Sequence, residues 1–123
     1  MLLQVEYCEQ NNIICDTKIG TLQIEQCKKM NVVITKKEYF NNYLIWAGCF
    51  LLQIKIADDI MRCDFGLYKQ FDKTINIERT QFKVWYDAKG KLISDKIIRL
   101  ANGFPTTKKE DDEVCEYIYI YVV

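Results

Sequence analysis

Six cysteines, Cys8, Cys15, Cys27, Cys49, Cys63 and Cys115, carry most of the nucleophilic chemistry available to this 123-residue chain. Thiols can act as nucleophiles, as soft metal ligands or as halves of disulfides. Their spacing favours none of the specialised uses. No two are two or three residues apart, so no C-x-x-C knuckle holds one edge of a metal tetrahedron. Cys15 and Cys63 precede Asp16 and Asp64. A neighbouring carboxylate raises a thiol pKa, so both are expected to be poorly activated.

The chain contains no histidine and a single serine, Ser94. Ser-His-Asp and Cys-His sites need an imidazole to take and return a proton near neutral pH. Neither can be built from this chain alone. Gly20, Gly48, Gly66, Gly90 and Gly103 are scattered, so neither the phosphate loop nor the dinucleotide fingerprint is present. No catalytic set, metal site or cofactor site is predicted.

Seventeen basic residues balance seventeen acidic ones. The balance is local: segments 1–41, 42–82 and 83–123 hold five against five, five against five and seven against seven. No basic arm exists for phosphate binding, and only Arg62, Arg79 and Arg99 supply guanidinium forks, so nucleic acid is not an expected partner.

Two groups of carboxylates remain. They are Asp58-Asp59 and Glu110-Asp111-Asp112-Glu113. Paired carboxylates do acid–base work or hold a hard cation. The alternating pattern of a calcium loop is missing, which leaves a solvated loop or an acidic patch complementary to a basic partner. Aromatic residues offer a second contact surface. Tyr117, Tyr119 and Tyr121 share one strand face, with apolar rings and polar tips. Trp85 faces away from Val84, beside Lys83 and Asp87, and reads as a partly exposed anchor.

The elements that must position these residues read mostly as strands. Residues 2–8 alternate as a strand, Asn11-Asn12 marks a turn, and Ile13-Ile14-Cys15 reads as a returning strand. Thr21–Met30 fits either helix or strand. Asn31–Ile34 is a short buried strand. Thr35 and Glu38 form a capping-box pattern, and Tyr39, Phe40, Tyr43, Leu44 and Ala47 keep helical spacing, so a helix is expected at about 36–47, closed by Gly48. From Cys49 to Ala57 the period is two. Residues 60–71 are a weaker strand candidate interrupted by Gly66, and Thr74–Glu78 alternates. Asp87-Ala88-Lys89-Gly90 is the strongest hairpin signal, joining 82–86 to a strand from Lys91 that extends towards Leu100. A helix at 95–102 is the alternative. Phe104–Glu113 reads as a polar loop and Val114–Val123 as a strand.

No internal repeat is evident, and one domain, 1–123, is the simplest account. The expected fold is α+β: a mainly antiparallel, curved sheet packed on one central helix. A small up-and-down β-barrel is the alternative.

The N-terminus lacks the basic and apolar regions of a signal peptide, and the longest uncharged stretch, 39–54, has sixteen residues, too few to span a bilayer. A cytoplasmic protein without membrane contact is expected, and six cysteines in a reducing compartment are expected to be free thiols.

These features favour a non-enzymatic cytosolic binding module. Its sharpest form is a small inhibitor, such as a toxin immunity protein or a phage-encoded inhibitor of a host enzyme. Its partner would be another protein, and a homodimer is compatible with the sequence. The alternative is a small-molecule-binding β-rich domain with an internal pocket. An enzyme using carboxylates, Lys or Cys would have Cys15, Cys63, Asp58 and Asp59 as its first candidates.

Overall fold

A computed structural model describes residues 2–110. The described residues are mostly strand, with little helix. Ten strands form two open sheets: β1 (Leu2–Glu6), β2 (Asn12–Cys15), β3 (Thr21–Glu25), β4 (Lys28–Ile34), β5 (Leu44–Ala47), β6 (Phe50–Ile56), β7 (Asp59–Cys63), β8 (Phe82–Tyr86), β9 (Leu92–Arg99) and β10 (Pro105–Thr107). The helix α1 spans Phe65–Phe71. The first six strands alternate between the sheets. β1, β3 and β5 stack parallel in the six-stranded sheet; β2, β4 and β6 stack parallel in the four-stranded one. Each pass therefore lays one strand in each sheet, and three such coils pile on one another.

This coil is an internal repeat, contrary to the expectation from sequence. Leu3-Gln4-Val5-Glu6-Tyr7-Cys8 lies in register with Leu22-Gln23-Ile24-Glu25-Gln26-Cys27, a step of 19 residues. Asn12-Ile13-Ile14-Cys15 pairs with Asn31-Val32-Val33-Ile34 in the same way. Equal side chains thus stand above one another. Leu3, Leu22 and Leu44 form one inward rank; Val5, Ile24 and Trp46 form a second; Ile13, Val32 and Ile54 form a third. All of the second- and third-coil members are fully buried. Burying an aliphatic side chain contributes ~1.5–3 kcal/mol, so these ranks are the main support of the fold. Outward amides also stack: the Gln4 amide donates to Gln23 Oε1 at 2.9 Å, and Asn31 donates to Asn12 Oδ1 at 3.1 Å.

The corner between β1 and β2, and its two repeats, has a fixed construction. Tyr7, Gln26 and Gly48 adopt left-handed φ of 55°, 53° and 62°, and Gln10, Lys29 and Leu51 adopt 51°, 53° and 52°. Between them stand Cys8, Cys27 and Cys49. Each thiol donates to the carbonyl two residues earlier, on Glu6, Glu25 and Ala47, at 3.4, 3.3 and 3.4 Å. Neighbouring coils tie the corner further, through Lys28 N–H to Cys8 O and Phe50 N–H to Cys27 O, both 3.0 Å. Small, weakly polar thiols fit here because they fill the bend and still satisfy a carbonyl.

After the third coil the pairing becomes antiparallel. β7 returns along β6, β8 along β5, β9 along β8 and β10 along β9. The expectation of an antiparallel sheet therefore holds for this half only, and neither sheet closes into a barrel. The hairpin at Asp87–Gly90 forms as expected, with Asp87 O accepting from Gly90 N–H at 3.0 Å. β9 takes the place of the alternative helix at 95–102.

The expected helix at 36–47 is absent. A short 3₁₀ turn at Lys37–Tyr39 is followed by β5. Thr35 does not cap it; its hydroxyl donates to Asp16 Oδ1 at 2.6 Å. The helical spacing of Tyr39, Phe40, Tyr43 and Leu44 loses to the chance for Leu44 and Trp46 to join the inward ranks. The helix lies instead at α1, in the segment read as a weak strand. Asp64 is its N-cap, accepting from Gly66 N–H at 2.9 Å. Phe65 and Tyr68 from α1 lie against Phe50, Trp46 and Phe82. Thr74–Glu78, expected to alternate as a strand, is a run of turns. Asn11-Asn12 does not make a hairpin either, because β2 pairs with β4 rather than with β1.

Candidate protein-contact surface

β8 and β9 carry the expected anchor, Trp85, but cover it. Trp85 is 7% exposed. Its outward neighbour, Lys83, holds the local arrangement together. The Lys83 ammonium sits 4.7 Å from the Tyr43 ring centroid and 5.6 Å from that of Trp85. It also lies 2.8 Å from Glu110 Oε2. Glu110 Oε1 accepts from the buried Thr107 hydroxyl at 3.0 Å. The structure thus gathers Trp85 and Glu110 around one cation. A cleft of about 320 Å³ opens beside them, lined by Tyr43, Ile45, Lys83, Ile97, Phe104 and Glu110 among others.

The other carboxylates lie elsewhere. Asp58 sits in the β6–β7 turn and Asp59 begins β7. Asp59 Oδ2 accepts the Tyr86 hydroxyl at 2.7 Å. Burial pushes the Tyr86 phenol above its ordinary pKa, and the accepting, negatively charged Asp59 adds to the shift. Asp59 and Glu110 are therefore committed to different partners. Among the described residues no group of three ligating side chains could hold a metal ion. Asp111, Asp112, Glu113, Tyr117, Tyr119 and Tyr121 lie outside the described residues.

The thiols are structural where they are buried. Cys15, Cys27, Cys49 and Cys63 are buried and Cys8 half-buried, and all five are free. Burial raises the pKa of Cys15, Cys27 and Cys63 and takes Cys49 to about 11. Cys15 and Cys63 are poorly activated as expected, but the cause is lost solvation rather than the neighbouring Asp16 and Asp64.

A surface that the sequence reading passed over lies on the outer face of the four-stranded sheet. Strand alternation points every second side chain away from the core. One outward row is Ile14, Val33, Lys55 and Ile60; the next is Asn12, Asn31, Gln53 and Arg62. Ile14 is 69% exposed and Ile60 57%, with Leu51 and Leu67 at 61% and 45% nearby. A cleft of about 460 Å³ runs between Asn31, Gln53, Arg62, Asp64, Leu51 and Leu67. Large apolar side chains on a sheet face, flanked by amides and one guanidinium, have the composition of an interface core with a polar margin. The coil repeat was the sequence signal for this face, since it alone sets Ile14 beside Val33 and Asn12 beside Asn31.

No helix among the described residues is long and apolar enough to cross a membrane. No family model, curated protein or solved structure matches the chain.

Proposed function

We propose that this chain is a non-enzymatic protein-binding module whose contact surface is the outer face of the four-stranded sheet. The observation that carries this reading is the exposure of Ile14 and Ile60 at the two ends of one outward row, with Leu51 and Leu67 beside the amide row. Leaving such side chains in water forgoes ~1.5–3 kcal/mol each, which a docked partner would recover. Arg62 and the Asn12–Asn31–Gln53 row supply directional hydrogen bonds without a strong field of either sign. In its sharpest form the module is a small cytoplasmic inhibitor, of the toxin-immunity or phage-encoded type. The free thiols accord with a reducing compartment.

A small-molecule reading has less support between the sheets. Leu22, Ile24, Val32, Leu44, Trp46 and Ile54 fill that space. Its remaining candidates are the surface clefts.

The test is a comparative pull-down from the native host. The wild-type chain is set beside Ile14→Lys/Ile60→Lys, whose changes are exposed and should leave circular dichroism and urea midpoint intact. The reading expects a protein retained by the wild type and lost by the double variant, with affinity reduced at least about tenfold, or ~1.4 kcal/mol. For the inhibitor form, the captured protein's own activity should fall on adding the wild-type chain. Identical captures by both chains, or none by either, would overturn the reading.

A further inference from the structure

The geometry points to a modification site at the stacked corner thiols: we propose that Cys8 and Cys27 form a reversible disulfide when the folded chain meets a peroxide. The two residues occupy the same place in successive coils, 19 residues apart. Register fixes them as neighbours, because Glu9 bridges to Lys28 immediately beyond them and Glu6 pairs with Glu25 just before. Adjacent strands lie about 4.8 Å apart, inside the range of roughly 4.4–6.8 Å that a disulfide accepts between α-carbons. Cys27 Sγ already sits between the coils. It accepts the Cys8 N–H at 3.4 Å and lies 3.8 Å from Val5 O.

The pair is also asymmetric in the way such chemistry requires. Cys8 belongs to the first coil, whose strands β1 and β2 pair on one side only among the described residues. It is half-buried and so reachable by a small oxidant, whereas Cys27 is fully buried beneath it. The Cys8 thiolate attacks the peroxide, breaking the O–O bond to give a Cys8 sulfenic acid and hydroxide. The Cys27 sulfur then attacks the Cys8 sulfur. The S–O bond breaks, the oxygen leaves as water with the Cys27 proton, and the S–S bond forms. Two thiols are oxidised by two electrons and hydrogen peroxide is reduced to two waters. Burial favours the protonated Cys27 thiol, whose proton leaves with the departing oxygen.

Other thiols lack this combination. Cys49 continues the stack but is fully buried, and Cys15 and Cys63 are buried at the ends of β2 and β7 in the four-stranded sheet. A Cys8–Cys27 bond would clamp the first coil onto the second, at the edge of the stack where β1 and β2 pair on one side only among the described residues.

The experiment uses the full chain, reduced, desalted and treated with hydrogen peroxide near neutral pH. Remaining thiols are alkylated and the products mapped by mass spectrometry after cleavage at acidic and basic residues, which separates Cys8 from Cys15. The expected product has lost two hydrogens, links the Cys8 and Cys27 peptides, and reverts with a thiol reductant. Cys8→Ser and Cys27→Ser should each abolish the link, while Cys49→Ser should retain it. Amide exchange in residues 2–15 should slow at least tenfold in the oxidised chain and return on reduction. Three outcomes would overturn the proposal: a Cys8 sulfinic acid with Cys27 still alkylated, a link from Cys8 to another cysteine or another chain, or no reaction at Cys8. Circular dichroism of the serine variants distinguishes loss of the link from loss of fold.

Discussion

The indole of Trp46 lies flat on the ring of Phe82, with centroids 4.1 Å apart and planes 11° from parallel. The two residues face each other across the β5–β8 pairing, where the parallel coils give way to antiparallel strands. Tyr68 of α1 leans on both rings, at 5.7 and 4.7 Å. This cluster joins the repeating half of the molecule to the half that does not repeat.

Removing one ring should therefore be costly. Phe82→Ala opens a cavity under Trp46 and Tyr68, and large-to-small changes at fully buried aromatics typically cost ~3–5 kcal/mol. Urea unfolding followed by tryptophan fluorescence would show it as a lower midpoint with an unchanged slope. A loss below about 1 kcal/mol would mean that the stack does not couple the halves.

The cysteine corner makes a separate prediction at Gly48. Its φ is +62°, and a Cβ placed there would lie 2.5 Å from Gln26 Nε2. Gly48→Ala should lower stability by ~1–2 kcal/mol through left-handed strain alone, with the displaced Gln26 amide adding to it. Gln26→Ala should relieve the second part. A double-mutant cycle is expected to give a coupling of at least ~0.5 kcal/mol, and strict additivity would contradict the contact.

Tyr86 sets a limit on alkaline stability. Its phenol is raised in the folded chain, by burial first and then by donating to the negatively charged Asp59. A group whose folded pKa is raised gives its full stabilisation below the unfolded pKa, about 10 for tyrosine, and loses it as pH climbs towards the folded value. Stability should fall above pH ~10 more steeply for the wild type than for Tyr86→Phe. In a near-ultraviolet phenolate titration, Asp59→Asn should bring one tyrosine down without making it ordinary, because burial remains. A titration unmoved by Asp59→Asn would remove Asp59 from the account.

The strands were legible in the sequence because alternation is a local property: β1, β2, β6, β8 and the 87–90 hairpin all follow from it. Their partners were not. Parallel neighbours are 19 or 22 residues apart, and nothing local distinguishes a strand that returns beside its predecessor from one that crosses to the opposite sheet. Leu3-Gln4-Val5-Glu6 and Leu22-Gln23-Ile24-Glu25 did carry the repeat in plain letters, but the third coil reads Leu44-Ile45-Trp46-Ala47 and hides it. α1 was missed because Gly66 looked like an interruption, when its N–H is what Asp64 caps. The outer apolar row was missed for the same reason as the coil: Ile14 and Ile60 are 46 residues apart in the chain and become one row only through two intervening strands. Trp85 and Glu110, expected from sequence as partner contacts, are both engaged by Lys83 between them in one intramolecular cluster.

The two bends of each coil differ in how they treat length. Across the cysteine bend, Glu6 to Glu9, Glu25 to Lys28 and Ala47 to Phe50 all advance by three residues. Across the other, Cys15 to Leu22 takes seven residues and Ile34 to Leu44 takes ten, yet the ranks stay aligned. One bend thus behaves as a gauge that every turn of the chain must meet, and the other as slack. Additions and deletions over the course of descent would accumulate at Asn41-Asn42, exposed just past the buried Phe40, where a graft or an epitope tag should pass unnoticed by the core, while a single residue added between Glu25 and Lys28 would throw every later rank to the wrong side.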